Sequence, residues 1–299
     1  MHSLKDVPTK VRGGCVVGTV GGREWGGDVV VLRKGLEKDG GGEGKGKGLA
    51  GLKEGAVVGT SSVRRAAMIR RRYPGLRIKD VRGNVPTRLG KLDDYGAYGF
   101  DALVLAGAGM QRLGLGERIE KWLGREEGML RAVGQGALGV EWREGDGWVA
   151  GLVAGVRTRR VEWECRAERS LLRTVEGGCS VPVGVETEWV EEENLGSEEV
   201  SEEKSREELE DEGGERGPGG TESAKGDGKG RGLLVMRAMV VSLDGQECVE
   251  VERTRMVASD EDAEEAGWEM AQELVEKGAG EILEKITLNR GMIQGQDNA

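Results

Sequence analysis

Cys179 is the residue of this sequence best suited to covalent chemistry. It follows Glu176-Gly177-Gly178, and a glycine pair gives the backbone a flexible turn with little side-chain bulk before the thiol. Such a thiol is accessible to a large reaction partner. The competing interpretation is a buried free thiol beside a tight turn, which is the commoner state of a single cysteine. These residues by themselves leave both interpretations open.

Two arginine-rich loops are suited to binding anions. The first, Ser61-Ser62-Val63-Arg64-Arg65, follows an apolar run and opens a helix, where free N–H groups and the helix dipole favour negative charge. In the second, residues 80–88, Arg82 follows a strand and Arg88 lies one turn into the next helix. Guanidinium groups pair with carboxylates through two hydrogen bonds. We expect a ligand with several carboxylates or phosphates. For the first loop, solvated arginines on a helix face are the alternative.

Two further segments carry weaker signals. Asp6 next to Lys5 is a possible general acid or base with a charged partner. The alternative is an exposed ion pair worth less than about 1 kcal/mol, which these residue types alone favour. The glycines of residues 132–139, on either side of Gln135, suit a hinge or a backbone that approaches a ligand closely.

The number and spacing of the histidines and cysteines exclude several kinds of functional site. His2 is the one histidine, and the four cysteines lie far apart with no Cys-x-x-Cys pair. We therefore expect no metal site and no histidine-based triad. The chemistry must come from carboxylates, thiols, lysines, arginines or a cofactor.

The net charge of −10 arises in one segment. Residues 191–215 contain thirteen acidic residues against Lys204 and Arg206, a net of −11, so the rest of the chain carries +1. Overall charge thus gives no reason to expect a nucleic-acid partner. No apolar run is long enough to span a bilayer, and residues 1–6 resemble neither a signal peptide nor a transit peptide. We expect a monomeric cytoplasmic protein without a membrane partner.

Alternating apolar runs and helix-like stretches must position these residues. The predicted strands before Cys179 are residues 16–20, 29–32, 56–58, 76–81 and 102–106. The predicted helices are 63–72 and 85–92, with helical turns at 111–113 and 118–122. This order is typical of an α/β unit with a mainly parallel sheet, whose ligands gather at the carboxyl ends of the strands.

The pattern changes after Cys179. Strands at 181–185, 233–242 and 248–257 come before helices at 263–277 and 279–286, which favours a separate α+β domain with a small antiparallel sheet. Residues 38–51 are rich in glycine and lysine and are predicted to form a surface loop. Residues 191–231 are predicted to be a disordered acidic insert, because they contain too little apolar surface to offset the entropy of ordering.

In combination, these segments resemble the signature stretches of the porphobilinogen deaminase (hydroxymethylbilane synthase) family. The matching stretches are residues 2–9, 59–65, 82–91, 100–115, 132–140 and 167–185. They cover most of residues 1–185, and together they are far more specific than any one alone. The C-terminal third matches only in general pattern.

The resemblance implies a transferase of haem biosynthesis that condenses four porphobilinogen molecules head to tail and releases ammonia at each step. It implies a dipyrromethane cofactor attached through a thioether to Cys179. Asp6 would be the catalytic carboxylate, protonating the leaving amine and stabilising positive charge on pyrrole nitrogens. The residues implied to hold the acetate and propionate groups of cofactor, substrate and growing chain are Lys5, Ser61, Arg64, Arg65, Arg82, Arg88, Arg112 and, on the hinge between the first two domains, Gln135.

The resemblance also implies three domains, of which two are similar to periplasmic binding proteins and the third carries the cofactor cysteine. They would comprise residues 1–38 with 134–155, residues 50–133, and residues 156–299. Because the sequence begins at the catalytic motif, we expect a truncated first domain. The alternative function is therefore a catalytically incomplete anion-binding protein, or a fragment of the same fold. Two residues depart from the family pattern: Arg131 stands where proline is usual, and Trp142 where a small side chain or cysteine is usual.

Overall fold

The computed structural model describes residues 1–36, 46–175, 181–190 and 231–287. Cys179 and residues 191–230 of the predicted insert lie outside this part of the chain. So does most of the predicted loop at 38–51, although its last residues, Gly48–Gly51, form a 3-10 turn in which Leu49 is buried.

Helices and strands alternate through the first two thirds of the chain, and strands precede the last helix. The described strands are β1 (His2–Ser3), β2 (Cys15–Val20), β3 (Asp28–Leu32), β4 (Val57–Gly59), β5 (Arg77–Lys79), β6 (Ala102–Ala106), β7 (Lys121–Leu123), β8 (Leu138–Arg143), β9 (Val183–Val190), β10 (Gly232–Val241) and β11 (Cys248–Val257). The described helices are α1 (Val63–Arg72), α2 (Val85–Asp93), α3 (Tyr95–Tyr98), α4 (Gly107–Arg112), α5 (Gly147–Ala154), α6 (Arg159–Thr174) and α7 (Asp260–Leu274). Further 3-10 turns span Leu4–Asp6, Gly116–Arg118 and Arg125–Glu127.

The first sheet positions the N-terminal motif. It is antiparallel with the order β1-β8-β2. β1 continues directly into the 3-10 turn Leu4–Asp6, whose buried Leu4 packs against Ala137 and the α6 residues Val161 and Cys165. Pairing of β1 with β8 and burial of Leu4 therefore fix the backbone that carries the predicted catalytic carboxylate.

The second sheet has five strands in the order β5-β4-β6-β3-β7. β4 is parallel to β5 and β6, whereas β3 is antiparallel to β6 and β7. The sheet is therefore mixed: β4, β5, β6 and β7 run in one direction, as a mainly parallel sheet requires, and β3 runs against them. The reason is that β3 precedes the strand–helix repeats and inserts between β6 and β7 in the opposite direction. The amino end of β3 consequently lies at the same edge as the carboxyl ends of β4, β5 and β6.

Both faces of the second sheet are covered. In β3, Val30 packs with α1, while Val29 and Val31 face the side that holds Leu89 and Leu92 of α2. A strand buried on both faces is expected to be continuously apolar, as β3 is after its first residue. Residues 28–32 hydrogen-bond within this sheet, although the predicted division groups them with residues 1–38. The three-part division itself stays a prediction.

The C-terminal part is an α+β unit. Its sheet is antiparallel, as the sequence predicts, and its strands have the order β11-β10-β9, with α6 and α7 packed on it. Gly267 of α7 lies against the backbone of Ala167, so that a Cβ at this position would overlap the α6 carbonyl oxygen. The two helices can approach this closely because position 267 has no side chain. A π-helical turn, Val275–Ala279, joins α7 to a final helix at 280–287.

Several predicted elements match the structure closely and others do not. Helix α1 and strands β6 and β11 have the predicted limits. The predicted helical turn at 118–122 is wrong at its C-terminal end, where Lys121–Leu123 forms β7 along the edge of β3. Across the described ranges, no helix combines the length and apolarity needed to cross a membrane.

Candidate active site

Asp28 is the centre of a buried ionic cluster. Its side chain is 1% exposed, and its Oδ2 accepts a hydrogen bond of 2.8 Å from Arg64 Nη1. Its Oδ1 accepts from Arg65 Nη2 at 2.7 Å and Nε at 3.0 Å. Although burial opposes ionisation, the two guanidinium groups hold the pKa of Asp28 far below its usual range. This carboxylate therefore offsets the repulsion between two arginines and the positive end of the α1 dipole.

The two arginines are buried, so the alternative of a solvated helix face was wrong. Arg64 is 5% exposed and Arg65 6% exposed. Arg64 Nη1 also donates to the carbonyl of Leu130 at 2.5 Å, and Arg65 Nη1 donates to the carbonyl of Val104 at 3.1 Å. Arg64 Nε is buried and has no hydrogen-bond partner in the described structure. A buried N–H without a protein partner is a place where a water or an ion can bind, and Arg131 Nε and Arg166 Nε are further examples in the described structure.

Gln135 belongs to the same cluster. Its Nε2 donates to Asp28 Oδ1 at 2.9 Å and to the carbonyl of Gly26 at 2.5 Å. Its Oε1 lies 3.5 Å from Arg65 Nη2. Gln135 follows Gly134, which adopts a φ of 69° that favours glycine. The tight turn thus aims the Gln135 amide at the carboxylate of Asp28.

Lys5 faces this cluster from the N-terminal 3-10 turn. Burial and the nearby positive charge of Arg65 lower the pKa of Lys5 to about 8, while Asp28 and Asp6 act in the opposite direction. Asp6 is exposed and adjacent to Lys5. The structure therefore brings Lys5 and Asp6 to the edge of the buried arginine cluster, although the sequence alone favoured an isolated surface pair.

The second arginine loop lies beside the first at the carboxyl ends of β4 and β5. The Ser61 hydroxyl donates to the carbonyl of Val81, which ties the two loops together. Arg88 Nε donates to the carbonyl of Gly83 at 2.7 Å, and burial together with the charge of Arg65 lowers the pKa of Arg88. Arg82 is different, since its side chain is 83% exposed and its ion pair within the described residues is with exposed Asp80, at 3.1 Å. Arg82 is therefore available to a ligand.

Arg112 lies on the other side of Gln135. Its Nε donates to Glu24 Oε1 at 2.9 Å, and its Nη2 donates to the carbonyl of Gly136 at 3.2 Å. Gly136 has a φ of 90°, and a Cβ there would overlap the carbonyl oxygen of Glu24. Position 136 thus requires glycine for both conformation and space.

The charges of the cluster do not balance. Lys5, Arg64 and Arg88 each lie within electrostatic range of Arg65, and these four cations face buried Asp28 and the exposed carboxylates of Asp6 and Asp80. The surplus of positive charge fits a ligand that carries several carboxylates. Sequence reasoning missed Asp28, although a single carboxylate at the start of the apolar run Val29–Val31 was a usable signal.

A second buried carboxylate, Glu168 of α6, anchors the Gly134 turn. It accepts two hydrogen bonds of 2.8 Å from Arg23, and one of 2.7 Å each from the Gly134 amide and the Thr187 hydroxyl. Although burial opposes ionisation, Arg23 and Arg131 lower the pKa of Glu168 to about 2. Arg131 also donates to the Thr187 carbonyl at 2.9 Å. Residues from three parts of the chain are thereby tied to α6, the helix that precedes Cys179 in sequence.

Two of the described cysteines are poor nucleophiles. Cys165 is 1% exposed, and burial raises its pKa to about 12. Burial also raises the pKa of Cys248 to about 11. Since the thiolate is the reactive form, neither is suited to covalent attachment at neutral pH. Cys179 lies outside the described residues, and its role stays a prediction.

Comparison with known proteins gives matches along most of the chain. Residues 1–150 match the family model described as the dipyromethane cofactor binding domain of porphobilinogen deaminase, and residues 163–209 match the model of its C-terminal domain. The protein named porphobilinogen deaminase in Neurospora crassa is 40% identical over 298 residues, which are 99% of this chain and 74% of that relative.

Bacterial relatives with the same name give similar results. The Synechococcus sp. (strain RCC307) protein is 41% identical over 286 residues, covering 96% of this chain and 73% of the relative. The Gloeobacter violaceus protein is 50% identical over 189 residues, covering 63% of this chain and 54% of the relative. Identity of this extent, with a model match over half of the chain, establishes that the chain belongs to the porphobilinogen deaminase family.

Proposed function

We propose that the chain is a hydroxymethylbilane synthase, a transferase that joins four porphobilinogen molecules head to tail on a dipyrromethane cofactor and releases ammonia at each step. The observation that carries this proposal is the surplus of positive charge around Asp28. Each pyrrole of the substrate bears an acetate and a propionate, so every added ring brings two carboxylates into the site. The extent of the family match favours the enzyme over a catalytically incomplete anion-binding protein.

The residues of the site fit the cofactor's carboxylates. Arg64 retains an unpartnered buried Nε, and Arg82 is exposed at the carboxyl edge of the second sheet. The acetate and propionate groups of cofactor, substrate and growing chain are held by these two residues together with Lys5, Ser61, Arg65, Arg88, Arg112 and Gln135. Cys179 attaches the cofactor through a thioether. When bound, the dipyrromethane supplies the pyrrole carbon to which substrate is joined.

Asp6 is the catalytic carboxylate of the proposed mechanism. It is exposed at the end of the turn Leu4–Asp6, while buried Leu4 holds the backbone in place. Its carboxyl gives a proton to the aminomethyl nitrogen, which leaves as ammonia, and the resulting carboxylate stabilises the positive charge on the pyrrole nitrogen. The free α-carbon of the growing chain attacks the methylene carbon, and the α-hydrogen that it loses returns to Asp6 as a proton. The adjacent Lys5 pairs with a substrate carboxylate and orients the ring toward Asp6.

We also propose a domain arrangement and a cellular location for the protein. The first two of three domains have the architecture of periplasmic binding proteins, the first of them truncated, and the third carries Cys179. The protein acts as a monomer in the cytoplasm, with porphobilinogen as its partner and without nucleic acid or membrane. The surplus charge of the site, placed at the carboxyl ends of β4, β5 and β6, supports a binding-protein arrangement.

The intact mass of the purified chain, measured beside a Cys179→Ser variant, tests cofactor attachment. An excess that matches a dipyrromethane and is absent from the variant supports the proposal. A bare polypeptide mass, together with no ammonia release from porphobilinogen, would overturn it. Cys165→Ser is the matched control and is expected to keep the mass excess, because Cys165 is buried with a raised pKa.

Asp6→Asn separates catalysis from binding. We expect this variant to carry the same mass excess and to bind porphobilinogen, while ammonia release falls by about 10²- to 10⁴-fold. If the parent chain binds porphobilinogen but releases no ammonia, so that Asp6→Asn has no activity to lose, the anion-binding alternative is correct.

A further inference from the structure

Trp25 lies between two residues that contact the site. Its predecessor Glu24 accepts the hydrogen bond from Arg112, and its successor Gly26 accepts the hydrogen bond from the Gln135 amide. Both neighbours are thus held by residues proposed to bind carboxylates. The Trp25 side chain is nevertheless 49% exposed. A large apolar ring is therefore presented to solvent at the rim of a site that is otherwise polar.

The indole is held in a defined orientation. It meets Trp122 of β7 edge to face, with ring centroids 5.8 Å apart and an interplanar angle of 80°. Two glycines make room for this pair. A Cβ at Gly27 would overlap the Trp25 indole, and a Cβ at Gly107 would overlap the Trp122 ring. An exposed tryptophan fixed in this way loses little conformational entropy when something stacks on it.

The ligand chemistry of the site calls for such a surface. A chain of pyrroles alternates flat rings with carboxylate groups. Every residue proposed above to hold it offers a charge or a hydrogen bond, and none offers an apolar face. Aromatic rings interact with one another by offset stacking or edge-to-face contact at centroid distances of about 4.5–7 Å. Arg112 pairs with Glu24, the residue before Trp25, so a group suited to a carboxylate and a group suited to a ring lie close together in the chain fold.

We propose that Trp25 contacts a pyrrole ring of the bound substrate or cofactor and contributes to affinity rather than to the chemical step. The inference rests on the proposed function, because it takes the polypyrrole nature of the ligand from there. It predicts that full affinity requires an aromatic side chain at position 25, and that an apolar side chain of similar volume is not enough.

The experiment compares Trp25→Leu with Trp25→Phe. Leucine keeps an apolar group against Trp122 but removes the aromatic face, whereas phenylalanine retains that face. We expect Trp25→Leu to raise the KM for porphobilinogen about three- to tenfold with little change in kcat, and Trp25→Phe to raise it less than about twofold. Trp268→Leu is the matched control, since Trp268 is 50% exposed on α7, and its KM is expected to equal that of the parent.

The intact mass of the same variants shows whether Trp25 contacts a pyrrole ring of the cofactor or of the substrate. Reduced cofactor loading in Trp25→Leu assigns the contact to the dipyrromethane, and full loading with a raised KM assigns it to the substrate. Unchanged KM and loading would overturn the inference, as would equal losses in the leucine and phenylalanine variants, which would indicate a structural role. A parent chain that neither loads cofactor nor binds porphobilinogen would overturn the proposed function and this inference with it.

Discussion

Arg23 and Glu168 are joined by two parallel hydrogen bonds of 2.8 Å each, between residues 145 positions apart in the chain. The Arg23 side chain is 7% exposed and the Glu168 side chain is fully buried. Arg23 also donates from Nε to the backbone carbonyl of Gln135 at 3.1 Å. This pair therefore connects α6 to the backbone of a residue in the candidate active site.

Glu168→Gln is expected to destabilise the chain strongly. The substitution removes the carboxylate shared by two buried guanidinium groups, Arg23 and Arg131, and leaves Glu164, 3.1 Å from Arg23, as the remaining partner. The free energy of unfolding should fall by about 3–5 kcal/mol. Urea unfolding measures the loss. Glu273→Gln is the matched control, because Glu273 pairs with Lys277 and Arg253 near the surface and should cost less than about 1 kcal/mol. Similar losses in the two variants would show that the buried pair is not special.

Acid should remove the difference in unfolding free energy between the parent chain and the Glu168→Gln variant. In the folded chain the pKa of Glu168 is about 2, below its ordinary value of 4.5. A carboxyl with a depressed pKa stabilises the folded state above its unfolded pKa and loses that contribution as pH falls through the folded pKa. The gap in unfolding free energy should therefore be full above pH 4.5 and shrink toward pH 2. A gap that widens in acid would contradict this assignment.

Asp28→Asn is expected to damage the candidate active site and the fold together. It removes the carboxylate shared by two buried arginines, and we expect the free energy of unfolding to fall by about 3–5 kcal/mol. Thermal and urea unfolding report the effect. Asp80→Asn is the control, since the Asp80–Arg82 pair is exposed and should contribute less than about 1 kcal/mol. A mild effect at position 28 would mean that the arginines find other partners.

Lys5 should make ligand affinity depend on pH near neutrality. Burial and Arg65 lower its pKa to about 8, so its ammonium loses a proton as pH rises through that value. The Kd for porphobilinogen should then increase above pH 8, and Lys5→Met should bind more weakly but with a flatter pH profile. Exposed Lys10→Met should keep the parent profile. A Lys5→Met profile as steep as that of the parent would assign the titration to another group.

The lowered pKa of Lys5 makes stability change with pH in the opposite direction to ligand affinity. Because the folded chain holds its Lys5 proton less tightly than the unfolded chain, the unfolded state binds more protons between pH 8 and 10.5. The contribution of Lys5 to stability therefore rises with pH across this window, while ligand affinity falls.

Local sequence signals predicted the elements that carry the arginine loops. Helix α1 begins at Val63 because Ser62 caps it, and α2 begins at Val85 because Asn84 caps it and Pro86 fits its first turn. β8, α5 and α6 were not predicted. The glycines before β8 suggested a hinge, and its strand character comes from pairing with β1 and β2, which are distant in sequence.

The two buried carboxylates show why the rest of the site could not be predicted. Asp28 lies 36 positions before Arg64, and Glu168 lies 145 positions after Arg23. Neither spacing has a local periodicity that a sequence pattern would reveal. Arg64 and Arg65 oppose the helix dipole at the start of α1, and the group that neutralises them is Asp28, a residue of this chain, in addition to any ligand.

One shared carboxylate at Asp28 has a kinetic consequence. Because it leaves the surrounding lysine and arginines with net positive charge, the site projects a field that attracts the two carboxylates of the substrate before contact is made. Ions in solution shorten the reach of such a field from about 30 Å at about 0.01 M ionic strength to about 8 Å at about 0.15 M. Capture of the first pyrrole should accordingly slow as salt is added, whereas the departure of bound pyrroles should change much less.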